Sequence, residues 1–170
     1  QLEVSSKLQN TVVNQIYNSN FELSGGWTAS SGNASDGFWD YIPVGYIGET
    51  SLMISRSSSS GNYSVQPTSS YYCSVQPGKT YTLSAYVKTA SMTGGGTGAR
   101  LALTLSGSTV AVSQAITTTA DWTRVEATYT HPTTSATATI IPCLQNGTSG
   151  VAYFDGVQFE ESANASRYNL

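Results

Sequence analysis

The stretch "KTYTLSAYVKT", residues 79–89, decides the fold. Tyr81, Leu83, Ala85 and Val87 alternate with Thr82, Ser84, Tyr86 and Lys88. A period of two puts the first set on one face of a strand and the second set on the other. The first face is apolar and the second polar or amphipathic. That division suits an antiparallel strand with one side on a core and the other toward water. Pro77-Gly78, just upstream, supplies a turn.

The same grammar continues in both directions. "YYCSVQPG" (71–78) puts Tyr71, Cys73 and Val75 on one face and Tyr72, Ser74 and Gln76 on the other. "TSLMISRS" (50–57) pairs Leu52 with Ile54, and "RLALTLSG" (100–107) aligns Leu101, Leu103 and Leu105. "WTRVEATYT" (122–130) sets Val125, Ala127 and Tyr129 against Trp122, Arg124 and Glu126. "ATATIIPCL" (136–144) leads through the turn "QNGTSG" to the strand Val151 to Phe159. Helical periodicity is confined to "SSKLQNTVVNQIY" (5–17), which is short and rich in β-branched residues. About eight to ten short strands at this spacing predict an all-β fold, an antiparallel β-sandwich or jelly roll. Long crossover helices are missing, which argues against a parallel α/β sheet. "SRSSSSGNYS" (55–64), "TGGGTG" (93–98) and "DGFWDYIPVGYIG" (36–48) read as loops. The expected organisation is a single domain over 1–170, with 1–17 as a lead-in and 162–170 as a linker tail.

Composition narrows the function. The chain has 170 residues, of which 10% are charged and 11% aromatic, with 11 tyrosines. Disordered chains are poor in aromatics, so a packed domain is expected. The net charge is −3 with no basic run, which excludes an electrostatic footprint for nucleic acid. No apolar stretch approaches the ~20 residues of a membrane helix, so no membrane insertion is expected. Gln1 opens directly into polar sequence, which reads as a module cut from a longer protein. Cys73 and Cys143 both fall in apolar runs, where one disulfide and two buried thiols are both reasonable. N-x-S/T sequons stand at Asn33, Asn62, Asn146 and Asn164.

Catalytic chemistry is thin. The only histidine, His131, precedes a proline at a strand end and reads as a solvated turn residue. "GGGTG" lacks the lysine and the following helix of a phosphate loop, and no G-x-S-x-G elbow occurs. A glycosidase needs two carboxylates facing across a cleft. The ten acids here lie mostly in turns and in the tail, so no enzyme is expected. One acid is out of place. Asp155 sits in the middle of the most β-like run, between Phe154 and Gly156, although Asp is depleted in strands.

Five stretches in fixed order carry a family resemblance. "NSNFELSGGW" (18–27) resembles the N-x-x-F-E…G-W opening of jelly-roll carbohydrate-binding modules, and "GETSLMIS" (48–55) resembles their G-x-x-S-L-x-I strand. "VQPGKTYTLSAYVKT" (75–89), "DWTRVEATYT" (121–130) and "AYFDGVQFEE" (152–161) complete the set. The likeness runs from about residue 18 to 161, toward the broad group of families four, nine, sixteen and twenty-two. The ending "VQFEESANASRYNL" also resembles modules embedded in bacterial wall-associated proteins of the Rhs/YD-repeat kind. The resemblance implies a non-catalytic glycan-binding module, monomeric within a multidomain chain, extracellular or attached to the cell wall. It also implies a structural calcium ion away from the sugar site, held by the carboxylates of Glu22 and Asp155 and by backbone carbonyls near Asn20 and Glu49. Two positions depart from the family: Gly156 stands where a second Asp is common, and Glu49 where Lys is common. The reading without metal has Asp155 accepting backbone N–H bonds at a bulge while Glu22 stays solvated.

Sugars are recognised by flat apolar rings flanked by hydrogen-bonding groups. If strands 71–77, 79–89 and 122–130 share one sheet, their outward residues Tyr72, Gln76, Tyr86, Arg124 and Glu126 line a groove. Trp39, Tyr41 and Tyr46, in the loop 36–48, are candidates for one wall, or else cap the core. Trp27 and Trp122 are expected in core or edge packing. A stripe of aromatics along the concave face favours a polysaccharide-binding module. A face of serine and threonine alone favours a structural spacer or adhesion domain with the same fold and no sugar affinity.

Overall fold

Residues 79–89 do lie in a strand, β6 (Thr80–Thr93), and it occupies an interior position of its sheet. The computed structural model describes residues 12–31, 37–57, 61–94, 96–145 and 148–168. In chain order the other strands are β1 (Trp27–Ser31), β2 (Gly37–Ile42), β3 (Ser51–Arg56), β4 (Tyr63–Pro67) and β5 (Cys73–Val75). They continue with β7 (Gly98–Leu105), β8 (Ser108–Val112), β9 (Ala120–Thr130), β10 (Ala136–Gln145) and β11 (Ser149–Glu160). The first sheet runs β1-β4-β10-β7-β8, with β5 also paired to β10; the second runs β2-β3-β11-β6-β9. Their pairings are antiparallel. The architecture is the all-β sandwich that the alternation predicts.

The core is the set of inward residues of both sheets. Leu83, Ala85 and Val87 of β6, Leu52 and Ile54 of β3, and Phe154 and Phe159 of β11 face inward from the second sheet. Val65 of β4, Leu101 and Leu103 of β7, and Ile140 and Leu144 of β10 meet them from the first. Each large side chain so removed from water contributes roughly 1.5–3 kcal/mol. Tyr81 stacks on Phe159 at 5.2 Å, and its hydroxyl accepts the Gln76 amide, so one ring serves both core and turn.

Several expectations change. Only 43–50 of the supposed connector 36–48 and its extension is irregular; residues 37–42 form β2, paired in full register with β3. No helix occupies 12–17, and residues 5–11 lie outside the described residues. His131 is buried, not solvated. Its backbone bonds Gly78 and Lys79, and its ring bonds the Tyr129 hydroxyl and the Thr134 carbonyl. Pairing the end of β9 with the Pro77-Gly78 turn draws the ring inward. The two cysteines are free and buried, and burial pushes both thiols up to about 12.

The tail is the largest change. Residues 162–168 do not leave the domain as a linker; they lie against the outer face of the second sheet. The Thr82 hydroxyl donates to the Ser162 carbonyl, and the Ser166 amide donates to the buried Glu160 carboxylate at 3.1 Å. Tyr168 and Ser19 share a hydroxyl–hydroxyl bond of 2.6 Å, which joins the two ends of the described chain.

Candidate functional site

Alternation in β10 decides where a groove forms. Ala138 and Ile140 face the core, so Thr137, Thr139 and Ile141 face outward from the first sheet. Thr104 of β7 lies opposite Thr139 in register and joins them on the groove floor. Ser30 of β1 and Gln66 of β4 extend the lining toward one edge, and Ser106-Gly107 of the β7–β8 turn closes another. Tyr72 supplies the aromatic residue, half exposed, in a cavity of about 390 Å³. The Gln66 side-chain amide donates to the Tyr72 hydroxyl at 3.0 Å and so holds the ring in place. Among the described residues, the lining holds hydroxyls, one amide, one aliphatic side chain and one ring. It holds no acid, base or thiol. Such a surface exchanges hydrogen bonds with a neutral polyol and packs one ring against it.

The groove expected from the sequence is not a single surface. Tyr72 precedes β5, which pairs with the first sheet, whereas Tyr86 on β6 and Arg124 and Glu126 on β9 belong to the second. The turn at Pro77-Gly78 carries the chain from one sheet to the other. A period of two assigns faces, not sheets, so the sequence pattern could not see this crossing. Of the five residues, Tyr72 alone lines the groove; Gln76 is exposed beside the turn. Tyr86 lies under the Tyr46 ring at 4.1 Å, with the Arg124 guanidinium 5.4 Å from its centroid. Arg124 Nη2 donates to Ser84 Oγ at 3.2 Å, Gln158 Oε1 at 2.6 Å and the Ser166 carbonyl at 2.5 Å, pinning the tail. Glu126 is exposed, and its amide bonds the Gln114 side chain. Trp39 and Tyr41 turn inward, edge to face at 5.4 Å, and pack on the core. Tyr46 remains 48% exposed. Trp27 is in the core, and Trp122 is half-buried on the outer face of the second sheet.

Sequence reasoning missed Ser30, Gln66, Thr104, Thr137, Thr139 and Ile141. The outward half of "RLALTLSG" and "ATATIIPCL" was readable as a face. Small hydroxyl residues carry no signal that separates a binding floor from an ordinary solvated sheet.

The strand acid has a structural explanation. Asp155 stands at a bulge in β11, where the register against β6 jumps between Asp155 and Gln158. Its Oδ2 accepts the amides of Tyr46 at 2.7 Å and Ile47 at 2.8 Å, and its Oδ1 accepts that of Gly156 at 2.7 Å. Gly156 has φ +54°, and a Cβ there would meet Tyr86 at 3.2 Å, Ile47 at 3.3 Å and Tyr168 at 3.4 Å. The second Asp common in the resembled family is therefore replaced by the residue that fits. Glu22 is exposed yet not idle: its Oε1 accepts the amides of Glu49 at 2.9 Å and Thr50 at 2.6 Å. The two acids thus grip the two halves of one loop, 43–50.

That grip leaves a charge imbalance. Burial drives the Asp155 carboxyl up to about 6; its three amide partners oppose the shift, and the nearby Glu22 charge adds to it. A hard divalent cation is the kind of partner that relieves neighbouring carboxylate charges. Glu22 Oε2 and the unused lone pair of Asp155 Oδ1 are available oxygens. Asn20 Oδ1 accepts the Glu22 amide at 3.4 Å and keeps a second lone pair. No group of three or more acidic, histidine or cysteine side chains clusters among the described residues, so backbone carbonyls and water would complete the six to eight ligands calcium takes. The donor chemistry fits calcium on those terms.

Solved structures with the same fold include three instructive cases. The CBM22-1–GH10 modules of a Clostridium thermocellum xylanase, complexed with xylohexaose, align with TM-score 0.59 at 20% identity, over 94% of this chain and 30% of that one. The CBM22-1 xylan-binding domain from Paenibacillus barcinonensis aligns with TM-score 0.53 at 21% identity, over 85% and 93%. A Stig cyclase from Fischerella sp. TAU, bound to an indole compound, aligns with TM-score 0.67 at 14% identity, over 88% and 98%. At these identities the likeness establishes the fold. No curated protein matches the chain. The family model described as "Carbohydrate binding domain", named for types 4 and 9, matches residues 13–149. With that match over most of its length, the chain belongs to the carbohydrate binding domain family.

Proposed function

We propose that this module binds a neutral polysaccharide along the groove of the first sheet, without acting on it chemically. The observation that carries the reading is the pairing of Gln66 with Tyr72 beside a floor of outward hydroxyls. The Tyr72 ring offers an apolar plate to the C–H face of a pyranose, and Gln66 keeps it from turning. Thr104, Thr137 and Thr139 exchange hydrogen bonds with ring hydroxyls, each worth roughly 0.5–1.5 kcal/mol net. A single ring and a few neutral hydrogen bonds give modest affinity, which repetition in a longer chain strengthens. The xylan ligands of two structural neighbours make xylohexaose the first probe.

A non-catalytic role is supported by the lining, whose serine and threonine hydroxyls have, among the described lining residues, no carboxylate, imidazole or amine beside them to activate them. The cyclase neighbour is a reminder that fold does not fix function. Calcium at Glu22 and Asp155 would serve as a clip between the first segment, the 43–50 loop and the last strand. A place outside the cell, within a multidomain chain, follows from the family resemblance.

The second reading is a spacer or adhesion domain without sugar affinity. It is favoured by a specific observation: Tyr72 is the one aromatic among serine and threonine. Calorimetry with xylohexaose, after a glycan array in millimolar calcium, separates the two. Binding that is weakened about tenfold by Tyr72→Ala supports the groove. An array with no bound glycan supports the spacer. Metal analysis and a melting curve in EDTA test the clip: no calcium found and an unchanged Tm would sink it.

A further inference from the structure

The outer face of the second sheet is covered over one part and open over another. Ser51, Ser84, Asp155, Gln158 and Glu160 are all buried although they point away from the core; the 43–50 loop bonds Asp155, and the tail bonds Gln158 and Glu160. One rung further along, the cover stops. Register places Asp40 of β2, Met53 of β3, Tyr153 of β11 and Lys88 of β6 side by side across four strands. Their neighbours Leu52, Ile54, Ala152, Phe154 and Val87 are fully buried in the core, so these four point outward. Three inter-strand steps make this row about 14 Å long.

The row has aromatic borders. Trp122 and Tyr46 stand together on one side with ring centroids 5.7 Å apart, and Tyr46 in turn rests on Tyr86. On the other side Phe38 is 57% exposed. A solvated sheet face is normally polar, and a contiguous exposed apolar patch marks a contact surface. The outer face of the first sheet keeps that norm at its groove; here Met53, Tyr153 and Trp122 are half-buried, with Tyr46 and Phe38 exposed at the borders, so the strip is more apolar than the groove floor.

We infer that the Met53–Tyr153 row, bordered by Trp122 and Tyr46, is a second glycan-binding surface, for a neutral polysaccharide chain lying across β3, β11 and β6. Rings and a thioether provide plates for sugar C–H faces, while the Lys88 ammonium and the Asp40 carboxylate provide hydrogen bonds at the two ends. Those two charges cancel, so the surface complements an uncharged polymer rather than a polyanion. The inference goes beyond the groove reading and does not depend on it. Two faces on opposite sheets would let one module bridge two polysaccharide chains.

Affinity electrophoresis of the whole chain through gels of arabinoxylan, mixed-linkage β-glucan and glucomannan tests this. The variants are Tyr153→Ser with Trp122→Ala for the row, Tyr72→Ala for the groove, and all three together. The expected result is a loss of roughly fivefold to tenfold in affinity from each face and no retardation when both are changed. Retardation that survives the row variant unchanged and disappears with Tyr72→Ala overturns the inference and leaves the groove. The reverse pattern leaves the row and removes the groove. A wild-type chain retarded by none of the three gels overturns both. Sedimentation of the same proteins adds one more outcome: a wild-type dimer dissociated by Tyr153→Ser makes the row a self-interface and overturns the inference. If circular dichroism shows that the double substitution unfolds the chain, Phe38→Ser, at an exposed position bordering the row, is measured in its place with the same expected and overturning results.

Discussion

The outer face of the first sheet is open, and its groove offers hydroxyls, an amide and one ring; that of the second is partly sealed by its own chain and elsewhere mixes aromatic rings such as Trp122 and Tyr46 with polar and charged side chains. The difference teaches what each face can afford to leave uncovered. Threonine and serine lose little when they meet water, so β7 and β10 need no cover. Arg124, Gln158, Glu160 and Asp155 lie beneath the loop and tail: Asp155 accepts loop amides, Glu160 accepts the Ser166 amide, and Arg124 donates to the Ser166 carbonyl and the Gln158 side chain. A buried polar network is stable when its members are paired and costly when one partner is removed.

The sharpest way to break the contrast is to strip the second sheet of its loop anchor. Asp155→Ala leaves the amides of Tyr46, Ile47 and Gly156 without an acceptor, and is expected to cost about 3 kcal/mol. For a chain of this size that lowers Tm by about 6–12 °C, read by thermal and urea unfolding. Removing residues 162–170 takes the carbonyl and hydroxyl of Ser166 from Arg124, Gln158 and Glu160. Water replaces part of what is lost, so the expected cost is smaller, about 2 kcal/mol on the same measurement.

The acid also sets a pH dependence. The folded carboxyl of Asp155 titrates at about 6, above its ordinary value of 3.8. The folded state therefore holds its proton more tightly than the unfolded state does. This contribution is fully present below the ordinary value and is lost as pH rises through 6. In calcium-free buffer, Tm is expected to rise as pH falls from 7.5 to 5, and Asp155→Asn is expected to flatten that slope. Saturating calcium is expected to reverse the trend, because protons then compete with the cation. An Asn variant with the wild-type slope would remove Asp155 as its source.

The smallest effects belong to the first sheet. Gln66→Ala frees the Tyr72 ring without removing it. It is expected to weaken glycan binding about threefold and to leave Tm within about 1 °C, since exposed side-chain contacts contribute little to folding. Calorimetry and a melting curve on one sample check both halves. A large fall in Tm would show that this face, like the other, is held by its polar side chains.

Much of the fold was readable from period-two alternation. The strands around 51–56, 80–93, 98–105, 120–130, 136–145 and 149–160 each carry an apolar set at alternate positions, and each is a strand in the structure. β1, β4 and β8 escaped because each is only five residues long, too short for alternation to stand out, and β2 because Trp39 and Tyr41 looked like a loop's binding wall rather than an inward face. Of the expected sugar residues, Tyr72 kept its place in a groove. Tyr86 and Arg124 stand out as a ring and a guanidinium on one outward face, as expected, but on the other sheet from the Tyr72 groove and beneath other segments of the chain.

The sequence by itself determined which side of each long strand meets the core, because burial energy follows alternation and acts locally. It also determined that Asp155 needed special partners, because an acid in a strand must be satisfied. Tertiary structure alone decided which strands share a sheet, because turns such as Pro77-Gly78 carry no mark of whether the chain returns beside its neighbour or crosses the sandwich. It alone decided that 162–168 is a strap: only the fold brings Arg124, Gln158, Glu160 and Ser166 within bonding distance. Those contacts join residues as many as 42 positions apart, and no local pattern encodes them.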